Sequence, residues 1–214
     1  MSQRQDVMAR IRQLRLVAVV RGKPEQVEPI LRALLDGGVV AIEITFTVPK
    51  AVEMIAKMKA RFGQEMLLGA GTVLDPQQAS DAIAAGARYI VAPNTNLDVM
   101  RLCHRRDVAV APGAFTPTEV AAAWQAGADI VKLFPAESLG IPYLKALRAP
   151  LPDVPIMPTG GVDADNAADW LRAGATALGV GSSLVRKDAL ASGNYGLITE
   201  TARKFVAAIA AVRE

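Results

Sequence analysis

Cysteine and histidine are almost missing from this 214-residue chain, which has one of each, Cys103 and His104. A single cysteine excludes an internal disulfide, and one Cys beside one His cannot supply the ligands of a zinc site. Together they suggest a reducing compartment. Aromatic residues make up only 5% of the chain. No block of like charge occurs, and the basic residues are not interleaved with aromatics, which argues against a nucleic-acid surface. No apolar run approaches the roughly 20 residues that would span a bilayer. The N-terminal stretch "MSQRQDVMARIRQLR" lacks the apolar core of a secretion signal; it places Val7, Ile11 and Leu14 on one helical face. The expectation is a cytoplasmic protein with no membrane or nucleic-acid partner.

What is present is an ordinary globular balance, 51% hydrophobic and 21% charged, with 24 basic against 21 acidic side chains. The net charge of +3 neither favours nor opposes an anionic small-molecule substrate, which needs only a local positive site. One motif repeats. "DGGVVAIEI" (36–44), "AAGARYIVA" (84–92), "QAGADIVKL" (125–133) and "RAGATALGV" (172–180) each run from a helix end through Gly into an apolar strand. Between them lie "RLVAVVR" (15–21), "MLLGAGTV" (66–73), "VAVAPGA" (108–114) and "VPIMPTGG" (154–161). Alternation with helical segments such as "TPTEVAAAWQAG" predicts a (β/α)8 TIM barrel with an extra N-terminal helix, one domain over 1–214. A doubly wound sheet offers no reason for so many evenly spaced units. Pro93, Pro112, Pro135 and Pro158 close four of the strands, where pairing stops, so the loops beyond them begin stiffly. In a barrel that rim carries the active site.

"DIVKLFP" holds a lysine in an apolar strand, with Ile130, Lys132 and Phe134 on one face. Glu43 alternates in the same way with Ile42 and Ile44 in "VAIEITF". By strand order the two lie opposite one another across the barrel. Two readings follow. One is a structural Lys–Glu ion pair. The other is chemical: burial lowers the pKa of the amine, so its neutral form attacks a carbonyl while the carboxylate shuttles protons. In "MPTGGV" and "LGVGSSL", Thr159, Gly160, Gly161, Gly181 and Ser182 follow the seventh and eighth strands, where such barrels often cradle a phosphate; tight turns without a ligand are the alternative. Thr72 ends the third strand and Arg21 the first, each able to meet a substrate carboxylate or to serve as an ordinary strand-end residue. His104, in "HRRD", reads as part of a solvated helix end. Trp124 and Trp170 read as packing anchors.

"EITFTVPKA", "GAGTV", "VKLFPAE", "PTGGV" and "GVGSSLV" occur in the order found in the 2-keto-3-deoxy-6-phosphogluconate (KDPG) aldolases, a class I family that also cleaves 4-hydroxy-2-oxoglutarate (KHG). The chain resembles that family from about Arg15 to its C-terminal helix. The resemblance implies a (β/α)8 barrel, a homotrimer, no metal and no organic cofactor. It implies Lys132 as the Schiff-base lysine and Glu43 as the acid/base. Thr72, Phe134, Thr159 and the Gly160, Gly161 and Ser182 loops would hold pyruvate and the phosphorylated aldehyde, with Pro93 and Gly181 among the same binding residues. Several family members carry a carboxylate-clasping arginine where this chain has Thr47, and Arg21 is the expected substitute. The implied reaction is cleavage of KDPG to pyruvate and glyceraldehyde 3-phosphate. The galactonate-derived epimer and KHG remain alternatives, and a phosphate-binding isomerase or a non-catalytic barrel would use the same loops without an imine.

Overall fold

The computed structural model describes residues 2–212; Met1, Arg213 and Glu214, the ends of the expected 1–214 domain, lie outside the described residues. Parallel strands alternate with helices along the chain. The wall consists of β1 (Leu16–Val20), β2 (Ala41–Thr45), β3 (Leu67–Gly71), β4 (Tyr89–Val91), β5 (Ala109–Ala111), β6 (Gly113–Ala114), β7 (Val131–Leu133), β8 (Ile156–Pro158) and β9 (Leu178–Val180). One sheet runs in the order β5-β4-β3-β2-β1-β9 and a second in the order β6-β7-β8. A parallel bridge between Thr159 and Gly179 ties β8 to β9. At the other seam the chain itself crosses, between β5 and β6.

That crossing corrects one expectation. The fifth apolar run was expected as a single strand, but Pro112 divides it. Proline has no N–H to continue the ladder, yet its carbonyl still accepts from the Lys132 N–H at 2.9 Å. The wall therefore turns from one sheet to the other without losing the neighbour that carries Lys132.

Helices cover the outside. Among them are α1 (Gln3–Leu14), α2 (Pro24–Asp36), α3 (Ala51–Phe62), α4 (Pro76–Ala84), α5 (Leu97–Arg105) and α6 (Pro117–Gln125). Sequence chemistry starts several of them. Asp75 caps α4 by accepting from the Gln78 N–H, with Pro76 beginning the helix, and Thr116 and Glu119 form a reciprocal capping box ahead of α6.

The strict alternation of strand side chains produces two apolar cores. Leu16, Ala18, Val20, Ile42 and Ile44 point outward into one cluster with Val27, Ile30 and Leu34 of α2. Val17, Ala41, Tyr89, Ala109, Ile130 and Met157 point inward and meet Val7, Met8 and Ile11 of α1, which plugs the N-terminal end of the barrel. Each fully buried Val, Leu or Ile contributes about 1.5–3 kcal/mol. The plug is also pinned by charge: Arg4 donates to Asp129 and to the Gly127 carbonyl, both at 2.6 Å. With one end plugged, solvent reaches the lumen from the C-terminal mouth. Trp170 is buried, as expected of a packing anchor, but Trp124 is 37% exposed on α6 and is not one. No helix among the described residues is long and apolar enough to cross a membrane.

Candidate active site

Lys132 and Glu43 are both inside the barrel, 3% and 1% exposed. Neither position is arbitrary. In register, Glu43 stands beside Val19 of β1 and Gly69 of β3, while Lys132 stands beside Gly113 of β6 and Met157 of β8. The rows between them leave space. A Cβ on Gly71 would lie 2.5 Å from Glu43 Oε1, so the carboxylate occupies room that a side chain there would take.

No ion pair joins the two among the described residues. Lys132 Nζ lies 5.1 Å from the centroid of the Phe134 ring, and Glu43 Oε1 is buried without a hydrogen-bond partner. Burial pushes the Lys132 ammonium below its ordinary value; the Glu43 charge opposes this and the Arg21 charge adds to it. Burial raises the Glu43 carboxyl, while Lys132 and Arg21 hold it down. Desolvation dominates on both sides, so each group is driven toward its neutral form. A neutral amine is a nucleophile and a neutral carboxyl a proton donor.

Above this pair the C-terminal mouth opens into a cavity of about 350 Å³, lined among others by Arg21, Phe134, Thr159, Gly160, Gly161, Gly181 and Ser182. The structure thus gathers seven of the sequence-expected residues around one space, and sets Lys132 and Glu43 below it. Gly160 and Gly161 have φ of 99° and 68°, a region where a side chain is strained, and a Cβ at either would run into Glu137. Beyond β9 the chain makes one helical turn, with Leu184 and Val185 donating to the Gly181 carbonyl. The leading N–H groups of that turn, at Ser182 and Ser183, are not consumed by it and suit an anion. Ser183 Oγ donates to the Val162 carbonyl at 2.5 Å, fastening the two glycine loops together.

Besides Lys132 and Glu43, three expected residues do not line this cavity. Thr72 sits at the end of β3 with φ of 58°, an outlier for a β-branched residue and a common mark of a functional site. Pro93 abuts β6, where a Cβ on Gly113 would strike its carbonyl. Thr47 is exposed, and its hydroxyl is committed: Thr45 Oγ1 donates to the Val20 carbonyl at 3.1 Å and so accepts from Thr47 Oγ1 at 2.6 Å. His104 lies on the outer surface, against the Gly127 carbonyl at 3.1 Å, away from the cavity.

Sequence reasoning missed Glu137 and Asp163, which line the cavity, and Tyr89, whose buried hydroxyl has no partner. Glu137 was visible within "VKLFPAE" but carried no assigned role. Tyr89 had no signal, because an aromatic is an ordinary strand residue. Among the described residues no cluster of His, Cys, Asp or Glu could hold a metal ion.

The sequence profile of the aldolase family described as KDPG and KHG aldolase matches residues 7–201. The chain is 38% identical over 175 residues to 2-dehydro-3-deoxy-6-phosphogalactonate aldolase of Escherichia coli, covering 81% of this chain and 85% of that one. It is 35% identical over 195 residues to 2-dehydro-3-deoxy-phosphogluconate aldolase of Treponema pallidum, 91% of each chain. A crystal structure of KDPG aldolase from Legionella pneumophila, with pyruvate captured at low pH as a covalent carbinolamine intermediate, superposes with a TM-score of 0.83 at 30% identity. It covers 92% of this chain and 96% of that one.

Proposed function

This chain belongs to the KDPG and KHG aldolase family, and from that premise we propose that it cleaves KDPG reversibly to pyruvate and glyceraldehyde 3-phosphate through an imine on Lys132. The observation that carries the assignment is Lys132 itself: buried, held toward its neutral form, and not ion-paired with Glu43, the carboxylate whose charge opposes that shift. A lysine kept only for structure would sit in an ion pair, because burying an unshared charge costs several kcal/mol. The carbinolamine captured in the Legionella pneumophila enzyme is the first covalent species such a lysine would form.

The Lys132 amine adds to the C2 ketone, giving a carbinolamine whose hydroxyl takes the Glu43 proton and leaves as water, so that an iminium and the Glu43 carboxylate remain. Glu43 accepts the proton of the C4 hydroxyl as the C3–C4 bond breaks, and the bonding pair flows into the iminium to leave an enamine. The aldehyde departs, the enamine is reprotonated at C3, and hydrolysis of the imine returns the amine and releases pyruvate. Arg21, which lines the cavity, would meet the carboxylate, since the Thr47 hydroxyl is turned toward Thr45. The glycine loops would hold the phosphate, so remote binding energy orients the breaking bond.

A second reading is the galactonate-derived epimer as substrate. Thr47 in place of arginine, with Arg21 at the mouth, favours keeping it, as does the similarity to a phosphogalactonate aldolase. We also propose a homotrimer, which sedimentation would test. The experiment for the chemistry is borohydride reduction with pyruvate, followed by peptide mass spectrometry. An adduct on Lys132 is expected; no adduct at any lysine of the folded protein removes the imine mechanism.

A further inference from the structure

Among the described residues, two buried oxygens in the lumen have no protein partner, Glu43 Oε1 and the Tyr89 hydroxyl. Tyr89 leaves β4 from the floor of the barrel, 2% exposed. Its ring crosses Gly69 of the neighbouring strand β3, where a Cβ would stand 2.5 Å from its Cζ. Gly69 is in turn the register partner of Glu43 on β2. The one wall position between the phenol and the Glu43 strand therefore has no side chain. Without that glycine the phenol could not lie there.

We propose that Tyr89 is a positioning residue for Glu43, its hydroxyl donating to one ordered water that in turn donates to the carboxylate, holding the anionic form ready to take a proton. A phenol buried at neutral pH is a donor first, and a buried carboxylate is the strongest acceptor in its surroundings. Two polar atoms left unmade in one small lumen each carry a desolvation penalty, which a bridging water removes. Glu43 raises the Tyr89 phenol further above its ordinary value, as expected if the two fields meet, although burial is the larger cause. The charged and titratable groups facing Glu43 are then Lys132 from β7, Arg21 from the end of β1 and Tyr89 from β4; β3 contributes none. Lys132 and Arg21 are used by substrate, so Tyr89 is the one that keeps the same role throughout turnover.

This inference rests on the imine reading above, and its test separates the two. Exchange of the pyruvate methyl protons with deuterium, followed by NMR, needs no knowledge of the aldehyde. The Lys132 amine condenses with C2 and water leaves. Glu43 then removes a C3 proton as the iminium accepts the pair, and a solvent deuteron returns. In Tyr89→Phe the carboxylate loses its donor, so its pKa rises and the pH profile of exchange moves up by about one unit. The KM for pyruvate stays within about twofold and the melting temperature falls by no more than a few degrees, because Phe fills the same space and only one hydrogen bond is lost. With 3-fluorotyrosine at position 89, a stronger donor of nearly the same shape, the profile moves down. Profiles that superimpose for all three proteins overturn the role of Tyr89. Absence of a borohydride adduct on wild-type Lys132 overturns the imine reading instead.

Discussion

Glu43 and Gly71 compete for one volume: a Cβ on Gly71 would stand 2.5 Å from Glu43 Oε1 and 2.7 Å from its Cδ. The glycine of "GAGTV" therefore serves packing of the carboxylate, and its backbone does not require a left-handed turn. Gly71→Ala is expected to push the carboxylate aside while the strand, paired on both edges, holds. A displacement of that size costs roughly ten- to a hundredfold in kcat. Steady-state kinetics with a circular dichroism control checks this, and an unchanged kcat would show that the position of Glu43 is not critical.

Arg21 gives a prediction in binding. A charge-assisted contact to a carboxylate is worth about 1.5–3 kcal/mol, so Arg21→Ala should raise the KM for pyruvate roughly ten- to a hundredfold. Loss of the same charge relieves Lys132 of a repulsion that favours its neutral form, so the pH profile of imine formation should also move upward. If KM and kcat both stay as in the wild type, Arg21 is not the carboxylate clasp.

Much of this was legible in the chain, for physical reasons that differ by element. The repeated helix-Gly-strand unit and the N-terminal helix carrying Val7 and Ile11 could be read because burial imposes a period that sequence preserves. Lys132 and Glu43 stood out because charge inside an apolar strand is rare without a purpose. The division at Pro112 was less visible, since the same proline could end a strand or turn it. Tyr89 was invisible. Its meaning depends on Gly69, one strand–helix unit earlier, and only the pairing of β3 with β4 brings them together. Trp124 misled because helical spacing does not say which face a neighbour will cover.

Lys132 couples activity to stability. Its pKa is lowered in the folded protein from an ordinary 10.5. Between the folded value and that one the unfolded chain binds more protons, so wild-type stability should rise with pH through this window and level off above it. Lys132→Met removes the rise. Denaturant midpoints measured near neutrality and near pH 10 should converge for this variant and differ for the wild type. Turnover should fall roughly a thousandfold or more, since no other group supplies the nucleophile. Equal pH slopes in the two proteins would mean that Lys132 is not desolvated.

The glycine loops separate phosphate binding from chemistry. Gly161 has φ of 68°, and a Cβ there would come within 2.7 Å of the Glu137 Cβ. Gly161→Ala must therefore move the loop, at a cost of about 1–2 kcal/mol from the left-handed conformation alone. Lys132 and Glu43 lie below the cavity that this loop lines and should keep their geometry. The expected result is a KM for KDPG raised roughly tenfold or more, with the KM for KHG, which has no phosphate, little changed. Comparing the two substrates within one variant cancels any general loss of stability. A parallel loss on both would assign these loops to the pyruvyl end of the substrate rather than to its phosphate.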